Sequence, residues 1–241
     1  MLWGNSGIIY MKISIAIPVY EMSGKGIDCL SYCLESIREQ TYRPYEIIVS
    51  DHSKDDVIFN FCKSHDMIIK YVRNKEKRGS LGSNLNSCII HASGDIIKFI
   101  MQDDFLLTKD SLLKTKENFN LNKNWMVTSY FHTKDRINFF NMHIPIVNTN
   151  IILSNTIGTP SCLTIKNENV IYFDDNLRWY VDSEYYFRLY NKFGPPIIYE
   201  IPLVCQFLWE GQTTNAIITD EIISKEKEYL YKKYENRKPK K

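Results

Sequence analysis

The chain has 241 residues, and 44% of them are apolar, which suits one globular α/β domain and excludes a disordered chain. Its 30 basic and 28 acidic residues leave a net charge of +2, so there is no electrostatic field that favours a nucleic acid partner. No apolar run approaches the ~20 residues that cross a bilayer. We therefore expect a cytoplasmic protein, with peripheral contact to the inner face of the membrane left open.

The first half alternates between strand patterns and helix patterns. Strands are predicted at 12–19, 46–50, 67–72, 95–101 and 125–131, and helices at 27–40, 55–64, 81–92 and 109–120. Strict alternation implies crossover connections and a mostly parallel sheet. Ligands of such sheets bind beyond the carboxyl ends of the strands, so the residues that follow each strand are the candidates for function.

The second half is less regular. Residues 133–160 are polar and predict short strands and loops. They are followed by a predicted strand at 162–165 and a helix at 181–192. Residues 196–209 predict two strands broken at Pro202, and 220–235 predict an amphipathic helix with two acidic residues in its first turn. Residues 1–10 carry no motif and precede Met11, and we expect them to be dispensable.

An acidic pair, Asp103 and Asp104, follows the fourth predicted strand. Adjacent carboxylates repel each other unless a cation lies beside them, and Mg²⁺ and Mn²⁺ prefer such oxygen ligands. A solvated turn that caps the next helix is an equally good interpretation of the pair alone.

Three other features could contact a nucleotide or a substrate. Asp51 ends the second strand, where a carboxylate can accept from a base or a ribose, although its neighbours are also typical of a turn. Arg78 lies in KRGSLGSNLN, just before a helix whose first N–H groups could hold phosphate. Asp182 begins the helix at 181–192 and fits either a general base or an N-terminal cap.

The order of these motifs decides between the interpretations. IAIPVYE, EIIVSDHSKDD, RGSLGSNLN, ASGDIIKFIMQDD and VDSEYYFRL occur in this order between Met11 and about Gln212. The series resembles the family 2 glycosyltransferases, which have the GT-A fold. The resemblance implies an α/β nucleotide-diphospho-sugar transferase fold, with a mostly parallel sheet flanked by helices and a small antiparallel extension.

The resemblance also implies roles for individual residues. The nucleotide would be bound by Pro18, Tyr20, Glu21, Asp51, Arg78 and Asp103. The family's DxD motif falls on Gln102, Asp103 and Asp104, which makes Asp104 the main metal ligand and lets Asp103 serve the ribose or the metal. The family's catalytic acidic position falls on Asp182, while the Glu before it is replaced by Val181. Glu210 lies near the position of a histidine that many members carry.

The implied reaction moves a sugar from a nucleoside-diphosphate donor, with a UDP-sugar favoured, to a hydroxyl of a saccharide or lipid-linked acceptor. The product would belong to a cell-surface polysaccharide or glycoconjugate. Mn²⁺ or Mg²⁺ would neutralise the leaving diphosphate, and Asp182 would take the acceptor proton, which inverts the anomeric configuration. Two rivals remain open: a sugar nucleotidyltransferase, and a degenerate module that only binds nucleotide sugar.

The expected domain organisation follows from the same motifs. Residues 1–10 are predicted to be an N-terminal extension, 11–215 the GT-A domain, and 216–241 a C-terminal helix with a basic tail. The six cysteines form no CxxC pair and are expected to be reduced thiols.

Overall fold

A computed structural model of the chain describes residues 11–148, 150–212 and 218–234. The strands are β1 (Ile13–Val19), β2 (Glu46–Asp51), β3 (Lys70–Arg73), β4 (Ile96–Phe99), β5 (Phe105–Leu106), β6 (Trp125–Thr133), β7 (Phe139–His143), β8 (Leu163–Lys166) and β9 (Ile197–Phe207). The helices are α1 (Gly26–Arg38), α2 (Val57–Ser64), α3 (Leu81–His91), α4 (Ser111–Asn118), α5 (Val181–Phe193) and α6 (Asp220–Tyr234).

The strands that the described residues form make one mixed sheet in the order β3-β2-β1-β4-β8-β6-β9-β5, with β7 paired to β6. β1 pairs parallel with β2 and β4, β2 with β3, and β6 with β9. β8 runs antiparallel between β4 and β6, and β5 and β7 are antiparallel additions. The predicted mostly parallel sheet with a small antiparallel extension is therefore confirmed.

The core follows from the apolar runs of the central strands. Every residue of β1 and β4 is buried, as is expected for strands covered on both faces. Lys98 of β4 is the charged exception, since it is fully buried and its Nζ donates to the carbonyl of Ser161 at 2.5 Å. Burial lowers the pKa of Lys98 to about 8. The ends of β1 and β4 are thus positioned by a buried sheet, in which Lys98 is bonded to the segment that contains Ser161.

The region 196–209 departs from its prediction. It forms one long strand, β9, rather than two strands broken at Pro202. Its pairing with β6 shifts between Thr128 and Tyr130, where Ser129 lies opposite Pro202. Proline has no N–H to donate to the ladder, and a bulge absorbs the missing bond without ending the strand.

Two predictions fall on parts of the chain that the structure does not cover. Residues 1–10 lie outside the described residues, so their expected dispensability stays a prediction. The domain boundaries also stay predictions. None of the helices among the described residues is long and apolar enough to cross a membrane.

The C-terminal helix α6 is joined to the loop before α5 by charged groups. Lys233 donates to Asp174 Oδ2 at 2.5 Å, and the hydroxyl of Tyr229 donates to the same oxygen at 2.8 Å. Burial acts to raise the pKa of Asp174, but the hydrogen bond from Lys233 and those from its other partners bring it down to about 2. The ionised carboxylate of Asp174 therefore stabilises the docked helix.

We expect Asp174 to contribute to acid sensitivity. Because its folded pKa is about 2 and its unfolded value is near 3.8, its stabilisation is present above pH 4 and is lost as pH falls towards 2. The lost free energy of unfolding is about 2 kcal/mol. Urea unfolding of the wild type and of Asp174→Asn between pH 6 and pH 2 measures it. The difference in free energy of unfolding between the wild type and Asp174→Asn should shrink as pH falls. A difference that stays constant would contradict the role of Asp174 in acid sensitivity.

Candidate active site

The carboxyl end of β2 places Asp51 in a fully buried position. Its Oδ1 accepts from the backbone N–H of Ser53 at 2.7 Å and its Oδ2 from the hydroxyl of Tyr71 at 2.6 Å. Arg73 Nη2 lies 3.7 Å from Oδ2. The next residue, His52, has a buried Nε2 with no hydrogen-bond partner among the described residues, and burial lowers its pKa. Sequence reasoning passed over His52, because a histidine in turn-like sequence gives no signal of its own.

The start of α3 is tied to the ends of β1 and β2. Ser80 caps the helix by accepting from the N–H of Ser83 at 3.3 Å. Asn84 accepts from the hydroxyl of Ser50 at 2.7 Å and donates to the carbonyl of Val19 at 3.1 Å. Arg78 is exposed just before the helix. A cavity of about 380 Å³ next to Asp51 is lined by Lys54, Asp56, Phe59, Tyr71, Arg73, Lys75 and Arg78. The predicted nucleotide residues Asp51 and Arg78 thus lie beside one basic, partly aromatic cavity.

The end of β1 is held by Gln102. Its Oε1 accepts from the N–H of Tyr20 at 2.9 Å, and its Nε2 donates to the carbonyl of Gly26 at 2.8 Å. Pro18 is buried within β1, whereas Tyr20 and Glu21 are partly exposed just after it. Gln102 is itself only 3% exposed, so it is a structural link between β1 and α1 rather than a metal ligand.

The acidic pair splits into one enclosed and one more open carboxylate. Asp104 is 2% exposed and accepts from Ser161 Oγ at 2.6 Å, from Thr159 Oγ1 at 3.1 Å and from the N–H of Phe207 at 3.2 Å. Asp103 is partly exposed. Burial raises the pKa of both, and the charge of Asp103 raises that of Asp104 further. A cation beside the pair would relieve this cost.

A tryptophan contacts Asp103, the more exposed member of the pair. Trp209 Nε1 donates to Asp103 Oδ2 at 3.0 Å, and Lys25 Nζ lies 5.1 Å from the centre of a Trp209 ring. Glu210, which was aligned with the family's histidine, is exposed in the turn that follows. Trp209 was missed because nothing in the sequence links a residue after β9 to the end of β4.

Asp182 lies in the first turn of α5, at a residue position that is partly exposed. The residue that caps the helix is Tyr180, which makes no side-chain capping bond, so the alternative that Asp182 is an N-cap is wrong. Its nearest side-chain donor is Asn155 Nδ2, at 3.4 Å from Oδ2. Burial raises the pKa of Asp182 to about 7. A carboxylate with so high a pKa and only one long side-chain hydrogen bond is suited to accept a proton near neutral pH.

Residues 155–161 form a segment that contacts both Asp182 and Asp104. Asn155 contacts Asp182, while Thr159 and Ser161 donate to Asp104. Four residue steps separate Asn155 from Thr159, which bounds their Cα distance at about 15 Å. Asp182 and the acidic pair therefore border the same part of the molecule, at the carboxyl edge of β4.

We expect the shape of this segment to depend on Gly158. Its φ is +109°, and a Cβ there would lie 2.3 Å from the hydroxyl oxygen of Tyr130. Gly158→Ala should therefore lower the free energy of unfolding by roughly 2 kcal/mol or more and reduce turnover. Gly194→Ala is the matched control, since Gly194 also has a positive φ, +77°, but an added Cβ would meet no atom within 4 Å. Equal losses in both variants, measured by urea unfolding, would contradict the clash.

Comparison with known proteins identifies the family. The model of "Glycosyl transferase family 2" matches residues 14–183. The chain belongs to glycosyltransferase family 2. It is 29% identical over 197 residues to a poly(ribitol-phosphate) beta-glucosyltransferase of Bacillus spizizenii, covering 76% of this chain and 30% of that protein. It is 34% identical over 101 residues to a GalNAc(5)-diNAcBac-PP-undecaprenol beta-1,3-glucosyltransferase of Campylobacter jejuni, covering 40% of this chain and 31% of that one. The chain thus spans about a third of these curated relatives.

Solved structures confirm the fold. The crystal structure of S. aureus TarS 1-349 with UDP-GlcNAc superposes with a TM-score of 0.67 at 18% identity, covering 87% of this chain and 62% of that one. A mannosyltransferase of Pyrobaculum calidifontis, in complex with GDP-Man and Mn²⁺, superposes with a TM-score of 0.60 at 16% identity, covering 83% and 58%. The chain has the GT-A glycosyltransferase fold, as the motifs predicted.

Proposed function

We propose that the chain is an inverting glycosyltransferase that moves a sugar from a nucleoside-diphosphate donor to an acceptor hydroxyl. The observation that carries the proposal is the bridge of residues 155–161 between Asp182 and Asp104. A proton acceptor and an acidic pair suited to the diphosphate side thereby border one site. Family membership over residues 14–183 supports the same reaction.

The chemistry needs one displacement. The acceptor oxygen forms a bond to the anomeric carbon as the bond to the donor phosphate oxygen breaks, and the leaving nucleoside diphosphate takes the bonding electrons. Asp182 receives the acceptor's hydroxyl proton on its carboxylate. Attack from the face opposite the leaving group inverts the anomeric centre, and no covalent sugar–enzyme intermediate forms.

The residues present fit a divalent cation. Asp103 and Asp104 are adjacent, poorly solvated carboxylates, and a bound Mn²⁺ or Mg²⁺ would neutralise charge that develops on the diphosphate. No group of three or more His, Cys, Asp or Glu suited to a metal occurs among residues 11–148, 150–212 and 218–234. Phosphate and water oxygens would therefore complete the coordination, as is usual for such ions. We assign the first ligand position to Asp103, because both oxygens of Asp104 already accept from protein donors.

The donor's nucleotide would lie along the ends of β1 and β2. Asp51, Tyr20 and the buried Nε2 of His52 offer polar groups to the base and ribose, while Arg78 offers charge to the diphosphate. A UDP-sugar is favoured, since the TarS structure holds UDP-GlcNAc. A lipid-linked saccharide is the proposed acceptor class, because the Campylobacter relative is named for a polyprenyl diphosphate substrate. Cell-surface polysaccharide synthesis is the corresponding role.

A thermal-shift screen of UDP-, GDP-, CDP- and TDP-sugars, with and without Mn²⁺, tests donor binding. A ligand at 100 times its dissociation constant stabilises by about 2.7 kcal/mol, which is readily measured. Release of nucleoside diphosphate from the bound donor then tests turnover. Consumption of nucleoside triphosphate with a sugar phosphate would instead identify a nucleotidyltransferase. Donor binding without any release of diphosphate would identify a binding module.

A further inference from the structure

Glu226 of α6 is a buried acidic side chain outside the site whose described hydrogen-bond donors are all backbone N–H groups. It is 8% exposed and lies beyond the part of the chain that the family model matches. Its Oε1 accepts from the N–H of Arg178 at 2.6 Å, and its Oε2 accepts from the N–H groups of Trp179 and Tyr180 at 3.0 and 3.1 Å. One carboxylate therefore satisfies three successive backbone donors immediately before α5.

These three donors lie at the helix end that carries Asp182. Tyr180 is the N-cap residue of α5 and makes no capping bond with its own side chain, but its backbone N–H donates to the carboxylate of Glu226 on another helix. A negative charge at a helix N-terminus is also favoured by the helix dipole. Asp182 is only two residues beyond Tyr180, and its direction depends on how this turn is held.

The loop before α5, residues 174–180, is bonded to α6 at its first residue, and the first turn of α5 that follows the loop is bonded to α6 as well. Asp174 accepts from Tyr229 and Lys233 of α6, and Glu184, on the first turns of α5, accepts from Lys233 and Tyr234. On the opposite side the loop contacts the start of α3. Ser80 donates to the carbonyl of Asp175 at 2.8 Å, and Lys77 donates to the carboxylate of Asp175 at 2.5 Å. The loop thus lies between α6 and the segment proposed to face the diphosphate.

We propose that Glu226 is a positioning residue for the transfer reaction, holding residues 178–180 so that Asp182 faces the acceptor. The inference rests on the proposed function, because Glu226 can affect turnover through the position of Asp182 only if Asp182 is the base. It assigns α6 a role in turnover rather than in donor binding. Among the described residues, the donors to Glu226 are Arg178, Trp179 and Tyr180 rather than the proposed donor-binding residues Asp51, Arg78 and Asp103. The affinity for donor should therefore not depend on Glu226.

The test compares Glu226→Gln with Glu228→Gln in the full chain. Glutamine keeps the size of Glu226 but points an amide donor at backbone N–H groups. Glu228 is the matched control, since it lies on the same helix, is exposed and pairs with Lys232 at 2.6 Å. Glu226→Gln should lower kcat by roughly 10-fold or more, with the dissociation constant for nucleoside diphosphate and the donor KM little changed. The melting temperature should fall by only a few degrees, so that the variant stays folded at the assay temperature. Amide hydrogen exchange at 178–182 should become faster, and Glu228→Gln should match the wild type in every measurement.

Two results would overturn the proposal. The first is an unchanged kcat in Glu226→Gln. The second is a loss of kcat accompanied by an equal loss of donor affinity or by general unfolding, which would make the contact merely structural. If the wild type itself transfers no sugar, the proposed function fails, and hydrogen exchange alone then decides whether Glu226 holds residues 178–182. Amide hydrogen exchange at 178–182 that is the same in Glu226→Gln as in the wild type would independently contradict the positioning role.

Discussion

Asp182→Asn should reduce sugar transfer by roughly 10²–10⁴, the range expected when a general base is removed. Asparagine has the same shape but cannot take the acceptor proton. The affinity for the donor should be retained, because the proposed donor contacts are made by Asp51, Arg78 and Asp103. Rapid-quench or diphosphate-release assays give the rate, and calorimetry gives the affinity.

The fold should tolerate this substitution. Among the described residues, the side-chain donor to Asp182 is Asn155, at 3.4 Å, and burial already disfavours the charged form of Asp182. A folded pKa of about 7 means that ionising Asp182 costs stability as pH rises from about 4 through 7, and asparagine removes that cost. The melting temperature of Asp182→Asn at pH 8 should therefore equal or exceed that of the wild type.

The pH dependence gives an independent check. The base must be ionised to accept a proton, so turnover of the wild type should rise with pH through about 7, and this limb should be absent in the residual activity of Asp182→Asn. Asp66→Asn is the control, since Asp66 is an exposed partner of Arg38 in a surface ion pair of small expected worth. An Asp182→Asn enzyme with wild-type turnover would rule out Asp182 as the base.

Glu184, two positions further along, is unsuitable as the control. It is fully buried, pairs with Arg188 through two bonds of 2.7 Å, and accepts from Lys233 at 2.6 Å. Burial acts to raise its pKa, but the bonds from Arg188 and the other partners lower it overall. Glu184→Gln would leave these cations without their buried partner, which destabilises a protein by several kcal/mol. These contacts turn the Glu184 side chain towards α6.

The strands and helices of the first half could be predicted because the apolar periodicity of each element is a local property of the sequence. Their strict alternation then predicts a parallel sheet. The residues at the ends of β1, β2 and β4 were therefore found from the sequence. Their individual roles depend on tertiary contacts. Gln102, aligned with the first position of the DxD motif, is a link between Tyr20 and Gly26, a role that no local pattern indicates.

The remaining parts of the site come from segments without periodicity. Residues 155–161 bridge Asp182 and Asp104 through Asn155, Thr159 and Ser161, and such polar residues are typical of any loop. Trp209 reaches Asp103 only because β9 pairs with β5, more than 90 residues earlier in the chain. Long-range pairing of this kind leaves no mark on a single sequence.

The acidic pair provides the second large expected effect. Asp103→Asn should abolish the gain in nucleoside-diphosphate affinity that Mn²⁺ produces in the wild type, which we expect to be roughly tenfold or more, or about 1.4 kcal/mol. Asp103 is the more exposed member of the pair, and Trp209 Nε1 donates to its Oδ2. Titration calorimetry with and without Mn²⁺ measures the gain, and Asp66→Asn should retain it.

The variant Asp104→Asn distinguishes the roles of the two carboxylates. The sequence pattern made Asp104 the main metal ligand, and that assignment stays a prediction. Its oxygens accept from Ser161, Thr159 and the N–H of Phe207, so replacing one of them by an amide should lower the free energy of unfolding by roughly 1–3 kcal/mol. Asp103→Asn should lower the free energy of unfolding less than Asp104→Asn when both are measured in chelator, because Asp103 is the more exposed residue. If instead Asp104→Asn keeps wild-type stability and loses the Mn²⁺ effect while Asp103→Asn keeps it, Asp104 is the main ligand. A wild type that binds nucleoside diphosphate equally well with Mn²⁺ and with chelator would exclude the metal from donor binding altogether.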